Sequence, residues 1–332
     1  MNHTLDILIP QYDEDESVIK PLLDSIAIQQ NVNFKRIGVI IVNDGSDVIL
    51  SNEFLDSYPF DIEYYRNKHM GVSATRNACL DHSSADYVMF CDADDMFYMV
   101  CGLWIIFQEI DGNGGFDSLT TAFVEETRVP NYPKKVMYVP HELDSTFVHG
   151  KIHRRQYLID QNIRWNDNLT IHEDSYFNIL CQKLSKEVKY CPTPFYLWRW
   201  RENSVCRHDP KYILKTFKNM LWSNNALVNE FIRREKMDEA KFYATMLIYD
   251  CYFMMNKEEW IDQENQQYRI ETEREFSKNY YEFKELFDTI DPDVRHQIIM
   301  GTKNNKFREG MFLEKITFDD WIKHIEETYP RE

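Results

Sequence analysis

The chain has 332 residues, of which 43% are hydrophobic and 28% are charged, and this composition excludes disordered and collagen-like proteins. Its 38 basic and 55 acidic side chains give a net charge of −17, which argues against a surface built throughout for nucleic acid or an anionic membrane. The seven cysteines form no C-x-x-C pair, and the sequence contains neither a signal peptide pattern nor an apolar stretch of membrane-spanning length. We therefore expect a cytoplasmic protein with reduced thiols.

The first part of the chain alternates between strand and helix patterns. Apolar runs predict strands, and apolar residues at helical spacing predict helices, in this order: strand 5–10, helix 17–30, strand 37–42, strand 62–65, helix 72–80, strand 87–91 and strand 118–123. This alternation predicts an α/β fold with a mostly parallel central sheet flanked by helices. Ligands bind at the carboxyl ends of such strands, so the loops after the strands ending near residues 10, 42 and 91 are candidate sites.

The rest of the chain has a helical character. Helices are predicted at residues 212–234, 238–255, 262–286 and 318–328. We therefore predict two domains, residues 1–208 with the α/β fold and residues 209–332 entirely helical. The helical domain carries no recognisable chemistry, and packing, acceptor binding and self-association into a homo-oligomer are open roles for it.

Polar residues follow the first two predicted strands. After the first come Pro10, Tyr12 and Asp13, where an aromatic ring and a carboxylate could contact a nucleobase, or where acids could complement the dipole of the next helix. After the second comes Asp44, followed by Gly45. This pair is a common hairpin turn, but a carboxylate at the end of a parallel strand also suits a base or a ribose hydroxyl. The sequence leaves both alternatives open.

Two further segments suggest anion and metal binding. Gly71 precedes a helix that starts with small residues and carries Arg76 in its first turns, an arrangement that can hold a phosphate. Asp92, Asp94 and Asp95 follow the buried strand at 87–91. Three carboxylates so close together repel one another and favour a hard divalent cation, the alternative being a solvated loop that caps the next helix.

The later motifs lie in a stretch, residues 148–208, whose net charge is +4. Thr170 and Glu173 match a capping box, which offers a purely structural role, whereas the functional alternative makes Asp174 a general base that deprotonates a hydroxyl. Arginines interleave with tryptophans at residues 198–208, a pattern that suits either a diphosphate site or an amphipathic strand. A positive segment in an acidic chain is where we expect an anionic ligand.

In this order, these motifs resemble family 2 of the glycosyltransferases, which have the GT-A fold. The resemblance covers residues 4–208 and rests on the segments 42–46, 71–77, 87–95, 150–155, 173–174 and 201–204. It implies a metal-dependent, inverting enzyme that transfers a sugar from a UDP-sugar, or another nucleotide sugar, to a hydroxyl group. The helical domain at 209–332 lies outside the resemblance.

The resemblance also implies roles for individual residues. The nucleotide-sugar donor would be bound by Pro10, Tyr12, Asp13, Asp44, Arg76, Asp92, Arg201, Ser204 and Arg207. Mn²⁺ or Mg²⁺ would be bound by Asp94 and Asp92, with His208 as a candidate third ligand. Asp174 would be the base, with Glu173 beside it.

The acceptor is the least determined part of this prediction. A glycan or polysaccharide is expected, because its synthesis is the commonest task of the family. A hydroxylated base of DNA is the alternative acceptor, in which case the positive segment at 148–208 would contact the phosphates of the DNA backbone. A nucleotidyltransferase or a sugar-nucleotide-binding module is the alternative of another class, and it would share Asp92 and Asp94 but leave Asp174 without a role.

Overall fold

The structure is a computed structural model, and it describes residues 3–112, 115–129, 131–142, 144–202, 204, 211–302 and 316–331. The chain divides into two compact units, Met1–Ser204 and Val205–Glu332. The predicted domain boundary after residue 208 falls outside the described residues.

A single sheet organises the N-terminal unit. Its strands are β1 (Leu5–Gln11), β2 (Ile37–Asn43), β3 (Asp61–Arg66), β4 (Tyr87–Phe90), β5 (Met96–Phe97), β6 (Ser118–Val129), β7 (Tyr132–His141), β8 (Lys151–Arg154) and β9 (Val188–Trp198). The order across the sheet is β3-β2-β1-β4-β8-β6-β9-β5, and β7 pairs with β6 outside this path. The helices of this unit are α1 (Glu16–Ala27), α2 (Asn52–Leu55), α3 (Val72–His82), α4 (Gly102–Asp111), α5 (Arg155–Asp160) and α6 (Glu173–Lys183).

The sheet combines a parallel half and a largely antiparallel half. Strands β3, β2, β1 and β4 are parallel neighbours, so their carboxyl ends meet at one edge. Strand β8 is antiparallel to both β4 and β6, whereas β9 is parallel to β6. The predicted α/β class is confirmed, and the loops expected to carry the site do lie together at one edge.

Apolar spacing explains how α1 covers this sheet. Ile19, Leu22 and Ile26 follow the i, i+3, i+7 pattern and are fully buried in one cluster with Ile7 of β1 and Val39 of β2. The helix begins where the carboxylate of Asp15 accepts hydrogen bonds from the backbone amides of the first turn. The acid that caps the helix is therefore Asp15, which leaves Asp13 available for another role.

The C-terminal unit is helical, as the sequence predicts. Its helices are α7 (Tyr212–Arg233), α8 (Met237–Met255), α9 (Glu258–Ile261), α10 (Gln266–Asp288), α11 (Pro292–Thr302) and α12 (Phe318–Thr328). The buried ring of Trp321 on α12 lies 4.6 Å from that of Phe276 on α10 and 5.6 Å from that of Tyr252 on α8, which fixes α12 against both helices. No helix in the described residues is both long and apolar enough to cross a membrane. Self-association through this unit stays a prediction.

Candidate active site

The loop after β2 is joined to the start of α3 through Asp44. The carboxylate of Asp44 is buried, and it accepts hydrogen bonds from the backbone amides of Met70 (2.7 Å) and Gly71 (3.0 Å). Gly45 has φ +81°, and a Cβ atom there would lie 2.4 Å from the backbone nitrogen of His69, so the close approach of the two loops requires glycine. Because β2 and β3 are parallel, this Asp-Gly pair does not form a hairpin turn.

The residues after β1 lie beside this loop. The Oδ1 atom of Asp13 accepts a hydrogen bond of 2.5 Å from the hydroxyl of Ser46, and Asp13 itself has φ +62°. The ring of Tyr12 is half exposed, and its centroid lies 4.8 Å from that of His69. Pro10 pairs with a residue of β2 at the same edge of the sheet. The structure thus brings together the residues predicted to bind the nucleobase and ribose.

A shallow groove adjoins these side chains. It is lined by Gly45, Arg66, Asn67, Lys68 and His69. Three of these five residues carry a basic side chain, of which Arg66 pairs with Asp47 (3.0 Å) and His69 with Asp44 (3.0 Å). Sequence reasoning gave these basic residues no role.

The acidic loop, residues 92–95, follows the fully buried strand β4. The Oδ2 atom of Asp94 accepts a hydrogen bond of 2.9 Å from Nη1 of Arg201. Asp95 is buried, where its Oδ2 accepts from the hydroxyl of Tyr196 (2.7 Å) and its Oδ1 from the backbone amide of Arg199 (2.8 Å). Burial, and then the charges of neighbouring carboxylates, raise the pKa of Asp94 and hold that of Asp95 well above its ordinary value.

Arg76 connects the acidic loop to α6. Its guanidinium is buried over the ring of Trp165, and it donates to Oδ1 of Asp92 (2.9 Å) and to Oε1 of Glu173 (2.8 Å). Burial acts to lower the pKa of Arg76, but the charges of Asp92 and Glu173 outweigh it and raise the pKa overall. Arg76 therefore stays cationic and holds two segments far apart in sequence at one place.

Asp174 lies in the first turn of α6, next to this ion-pair network. The helix has His172 as its N-cap, without a capping side-chain hydrogen bond, so the capping box expected from Thr170 and Glu173 does not form. Burial, and then the charge of Glu173, raise the pKa of the half-buried Asp174 to about 7, although Arg76 acts to lower it. A carboxyl group with a pKa near neutrality is suited to general base catalysis.

The predicted diphosphate-binding residues are only partly described. Arg201 forms the hydrogen bond to Asp94 and lies 3.8 Å from a carboxylate oxygen of Glu14. The backbone amide of Ser204 donates to the carbonyl oxygen of Arg201 (3.3 Å). Arg207 and His208 lie outside the described residues.

Sequence reasoning missed His149. Its Nδ1 atom lies 3.8 Å from Oδ2 of Asp95, and one ligand atom from each of Asp92, Asp95 and His149 lies within 4.8 Å of the other two. Burial lowers the pKa of His149 to about 3, so the imidazole is neutral. Two carboxylates and a neutral imidazole fit a divalent cation. No motif links residue 149 to the acidic loop, so only the fold reveals this cluster.

Comparisons with known proteins give the same family as the motifs. The family model described as "Glycosyl transferase family 2" matches residues 6–100. The chain is 26% identical over 277 residues to the minor teichoic acid biosynthesis protein GgaB of Bacillus subtilis (strain 168), covering 75% of this chain and 29% of that protein. It is 26% identical over 223 residues to the glycosyltransferase GlyA of Streptococcus pneumoniae serotype 4, covering 60% of this chain and 31% of that protein. The chain thus spans about a third of the length of these relatives.

Solved structures show the same fold. The crystal structure of S. aureus TarS 1-349 in complex with UDP-GlcNAc matches with a TM-score of 0.63 and 16% identity, covering 95% of this chain and 93% of that chain. The complex of the same TarS fragment with UDP matches with a TM-score of 0.60 and 16% identity, covering 96% of this chain and 94% of that chain. The predicted GT-A architecture is confirmed. These comparisons support a transferase enzyme of the glycosyltransferase family 2 type: the family model covers residues 6–100, and the two relatives match 60–75% of the chain at 26% identity.

Proposed function

We propose that the chain transfers a sugar from a UDP-sugar to a hydroxyl group of a glycan acceptor, with inversion at the anomeric carbon and with a divalent cation. The observation that carries this proposal is the ion-pair network of Arg76. It brings the acidic loop, which suits the diphosphate end of a donor, next to Asp174, whose pKa of about 7 suits a base. A nucleotide-binding module without chemistry would not need a base at that place.

The donor's nucleoside fits the edge of the sheet where β1 and β2 end. The exposed ring of Tyr12 offers a stacking surface, and the carboxylate of Asp13 offers an acceptor for base or ribose donors. The buried carboxylate of Asp44 holds the start of α3 beside them through the amides of Met70 and Gly71. Fold neighbours crystallised with UDP and with UDP-GlcNAc support a uridine nucleotide. Arg76 would then hold Asp92 in position near the diphosphate end of the donor, rather than bind a phosphate directly.

The proposed reaction is one displacement. Asp174 accepts the proton of the acceptor hydroxyl while that oxygen forms a bond to the anomeric carbon. The bond from this carbon to the diphosphate oxygen breaks, and its electron pair leaves with UDP. Because the acceptor approaches opposite the leaving group, the configuration at the anomeric carbon inverts. Glu173 pairs with Arg76 at 2.8 Å and keeps α6 in position.

Negative charge grows on the diphosphate as it leaves. Arg201 lies at the acidic loop, where its guanidinium can turn from Asp94 to a phosphate oxygen, and Ser204 follows it. A divalent cation, held by carboxylates of the acidic loop, would neutralise part of the same charge when bound. Arg207 and His208 remain predicted contributors.

A glycan acceptor agrees with the relatives, one of which is named for teichoic acid biosynthesis. The DNA alternative requires basic side chains that are free to contact phosphates. Lys151 is buried, Arg154 pairs with Asp117, and Arg164 pairs with Asp81. This burial and these two ion pairs reduce the positive charge that the segment offers to phosphates, so we propose a glycan rather than a DNA acceptor.

A donor panel tests the proposed function. UDP-glucose, UDP-galactose and UDP-GlcNAc are each incubated with the full chain and Mn²⁺, and UDP release and thermal midpoint are measured. We expect one donor to raise the midpoint by ligand linkage and to release UDP faster when a glycan acceptor is added.

Chelation with EDTA, and the variant Asp94→Ala, are expected to lower UDP release. Full sugar transfer by Asp174→Asn would disprove the assignment of the base. A panel in which no nucleotide sugar shifts the midpoint or releases UDP would disprove the proposed function as a whole. Mass analysis of hydroxymethylated DNA after the reaction distinguishes the DNA acceptor.

A further inference from the structure

The imidazole of His149 is held rigidly inside the protein. Its ring is stacked on Tyr196 (centroids 4.9 Å apart, planes at 24°) and on Phe147 (5.6 Å, 15°), and it meets Trp198 at 5.1 Å. Gly150, with φ +66°, follows it, and a Cβ atom at Gly150 would lie 2.3 Å from the hydroxyl oxygen of Thr121. The ring plane is therefore fixed by packing before any ligand arrives.

This ring aims a nitrogen at two carboxylates. Within the described residues, the Nδ1 atom of His149 is buried and has no hydrogen-bond partner. It lies 3.8 Å from Oδ2 of Asp95, too long for a hydrogen bond, and a carboxylate oxygen of Asp92 lies within the same 4.8 Å cluster. A buried nitrogen without a partner is unusual, and a metal ion between these atoms would satisfy it.

We propose that Asp92, Asp95 and His149 bind the divalent cation through their carboxylate oxygens and the Nδ1 atom of the imidazole. This inference rests on the proposed function, and it assigns ligands that differ from the set predicted from the sequence. Asp94, a predicted ligand, is paired with Arg201 at 2.9 Å, which leaves that arginine positioned for the diphosphate.

The ligand set also predicts which metals bind well. Imidazole suits Zn²⁺ and the later divalent metals of the Irving–Williams series, whereas Mg²⁺ prefers an all-oxygen octahedral shell. The site should therefore bind Co²⁺ and Zn²⁺ more tightly than Mn²⁺, and Mn²⁺ more tightly than Mg²⁺.

His153 provides a matched comparison. It is buried like His149, burial likewise lowers its pKa to about 3, and its Nε2 atom has no hydrogen-bond partner among the described residues. Its Nδ1 atom contacts the hydroxyl of Ser118, and its ring packs edge-on against Phe177. No acidic residue is grouped with it as a metal-ligand cluster in the part of the chain that the structure describes. Both His149 and His153 are therefore buried, neutral imidazoles, and of the two only His149 lies beside carboxylates.

The test measures Mn²⁺ binding to the full chain without nucleotide. Pulsed electron paramagnetic resonance detects ¹⁴N coupling from a directly bound imidazole, and the free Mn²⁺ signal gives the dissociation constant. We expect ¹⁴N coupling in the wild type and in His153→Phe. In His149→Phe, which keeps an aromatic ring in the stack, we expect no ¹⁴N coupling and Mn²⁺ binding at least about tenfold weaker.

Bound Mn²⁺ without ¹⁴N coupling in the wild type, or coupling that persists in a folded His149→Phe, would overturn the inference. If His149→Phe fails to fold, the variant His208→Phe decides between the two candidate imidazoles: ¹⁴N coupling that is lost in His208→Phe overturns the inference, and coupling that persists supports it. Absence of Mn²⁺ binding at millimolar concentrations also overturns it. The proposed function is tested separately. If the wild type transfers sugar but shows no ¹⁴N coupling, only the inference is overturned. If it shows ¹⁴N coupling but does not cleave UDP-sugars, only the proposed function is overturned.

Discussion

Replacing Asp174 by Asn removes the proposed base with little change in shape. General base catalysis typically contributes about 100-fold to 10,000-fold, so we expect kcat to fall by at least about 100-fold. The amide cannot ionise, so it also relieves the unfavourable burial that raises the pKa of Asp174. The variant should therefore be at least as stable as the wild type above pH 7, which separates loss of chemistry from loss of fold.

The pKa of Asp174 also sets the pH dependence of the wild type. Because the pKa is raised to about 7, the carboxyl group is protonated and inactive as a base at low pH, and activity rises with pH. With that pKa, about 9% of the molecules are ionised at pH 6 and about 91% at pH 8, so kcat/KM should rise about tenfold between these values. An Asp at the ordinary value of 3.8 would give no rise in this range.

The assay follows UDP release with saturating Mn²⁺ from pH 5.5 to pH 8.5. Asp160→Asn serves as the matched control, because it makes the same substitution at an exposed position near the end of α5 and should leave the profile unchanged. A profile that is flat across the range, or an Asp174→Asn variant that keeps more than about a tenth of the activity, would refute the reasoning.

Three further predictions concern binding and stability. Arg76→Gln leaves the carboxylates of Asp92 and Glu173 without their cation, and breaking such a buried pair should cost about 3–5 kcal/mol, measured by urea unfolding; an unchanged midpoint contradicts the bridging role. Gly45→Ala should cost about 1–3 kcal/mol because of its φ of +81°, whereas Gly301→Ala, with open space and an ordinary φ, should not destabilise the protein in the same unfolding measurement. Tyr12→Ala should weaken UDP binding by about tenfold in calorimetry and Tyr12→Phe should not; equal affinities for both variants argue against base stacking.

The local sequence was a reliable guide to the parallel half of the sheet. Predicted strands at 37–42 and 87–91 correspond to β2 and β4, and the helix predicted at 72–80 corresponds to α3. Each of these segments carries its own signal, either a continuous apolar run or apolar residues at helical spacing. Strands β5, β7, β8 and β9 were not predicted as sheet members. Strands β5, β8 and β9 pair with strands distant in the chain. Strand β7 pairs with its chain neighbour β6 but is mostly exposed, so it lacks an apolar pattern.

The candidate site was likewise predictable from the sequence only in part. Motif order predicted the acidic loop, the loops after β1 and β2, and the pair at 173–174, and the fold brings these segments together. The partners of each carboxylate could not be predicted, because ion pairs such as Arg76 with Glu173 join residues 97 positions apart. Of the two alternatives left open for Thr170 and Glu173, the capping box does not form, since Glu173 takes Arg76 as its partner.

What the sequence by itself determined is the resemblance to a glycosyltransferase family, the α/β class and the location of acidic residues at strand ends, because apolar periodicity and short motifs are local properties of the chain. Only the tertiary structure decided the pKa values and the orientations of the side chains in the site. Burial beside Glu173 sets the pKa of Asp174 near 7, and stacking between Tyr196 and Phe147 fixes the nitrogen of His149 toward Asp95. Desolvation and mutual orientation arise from groups that the chain brings together across long separations, so they exist only in the folded molecule.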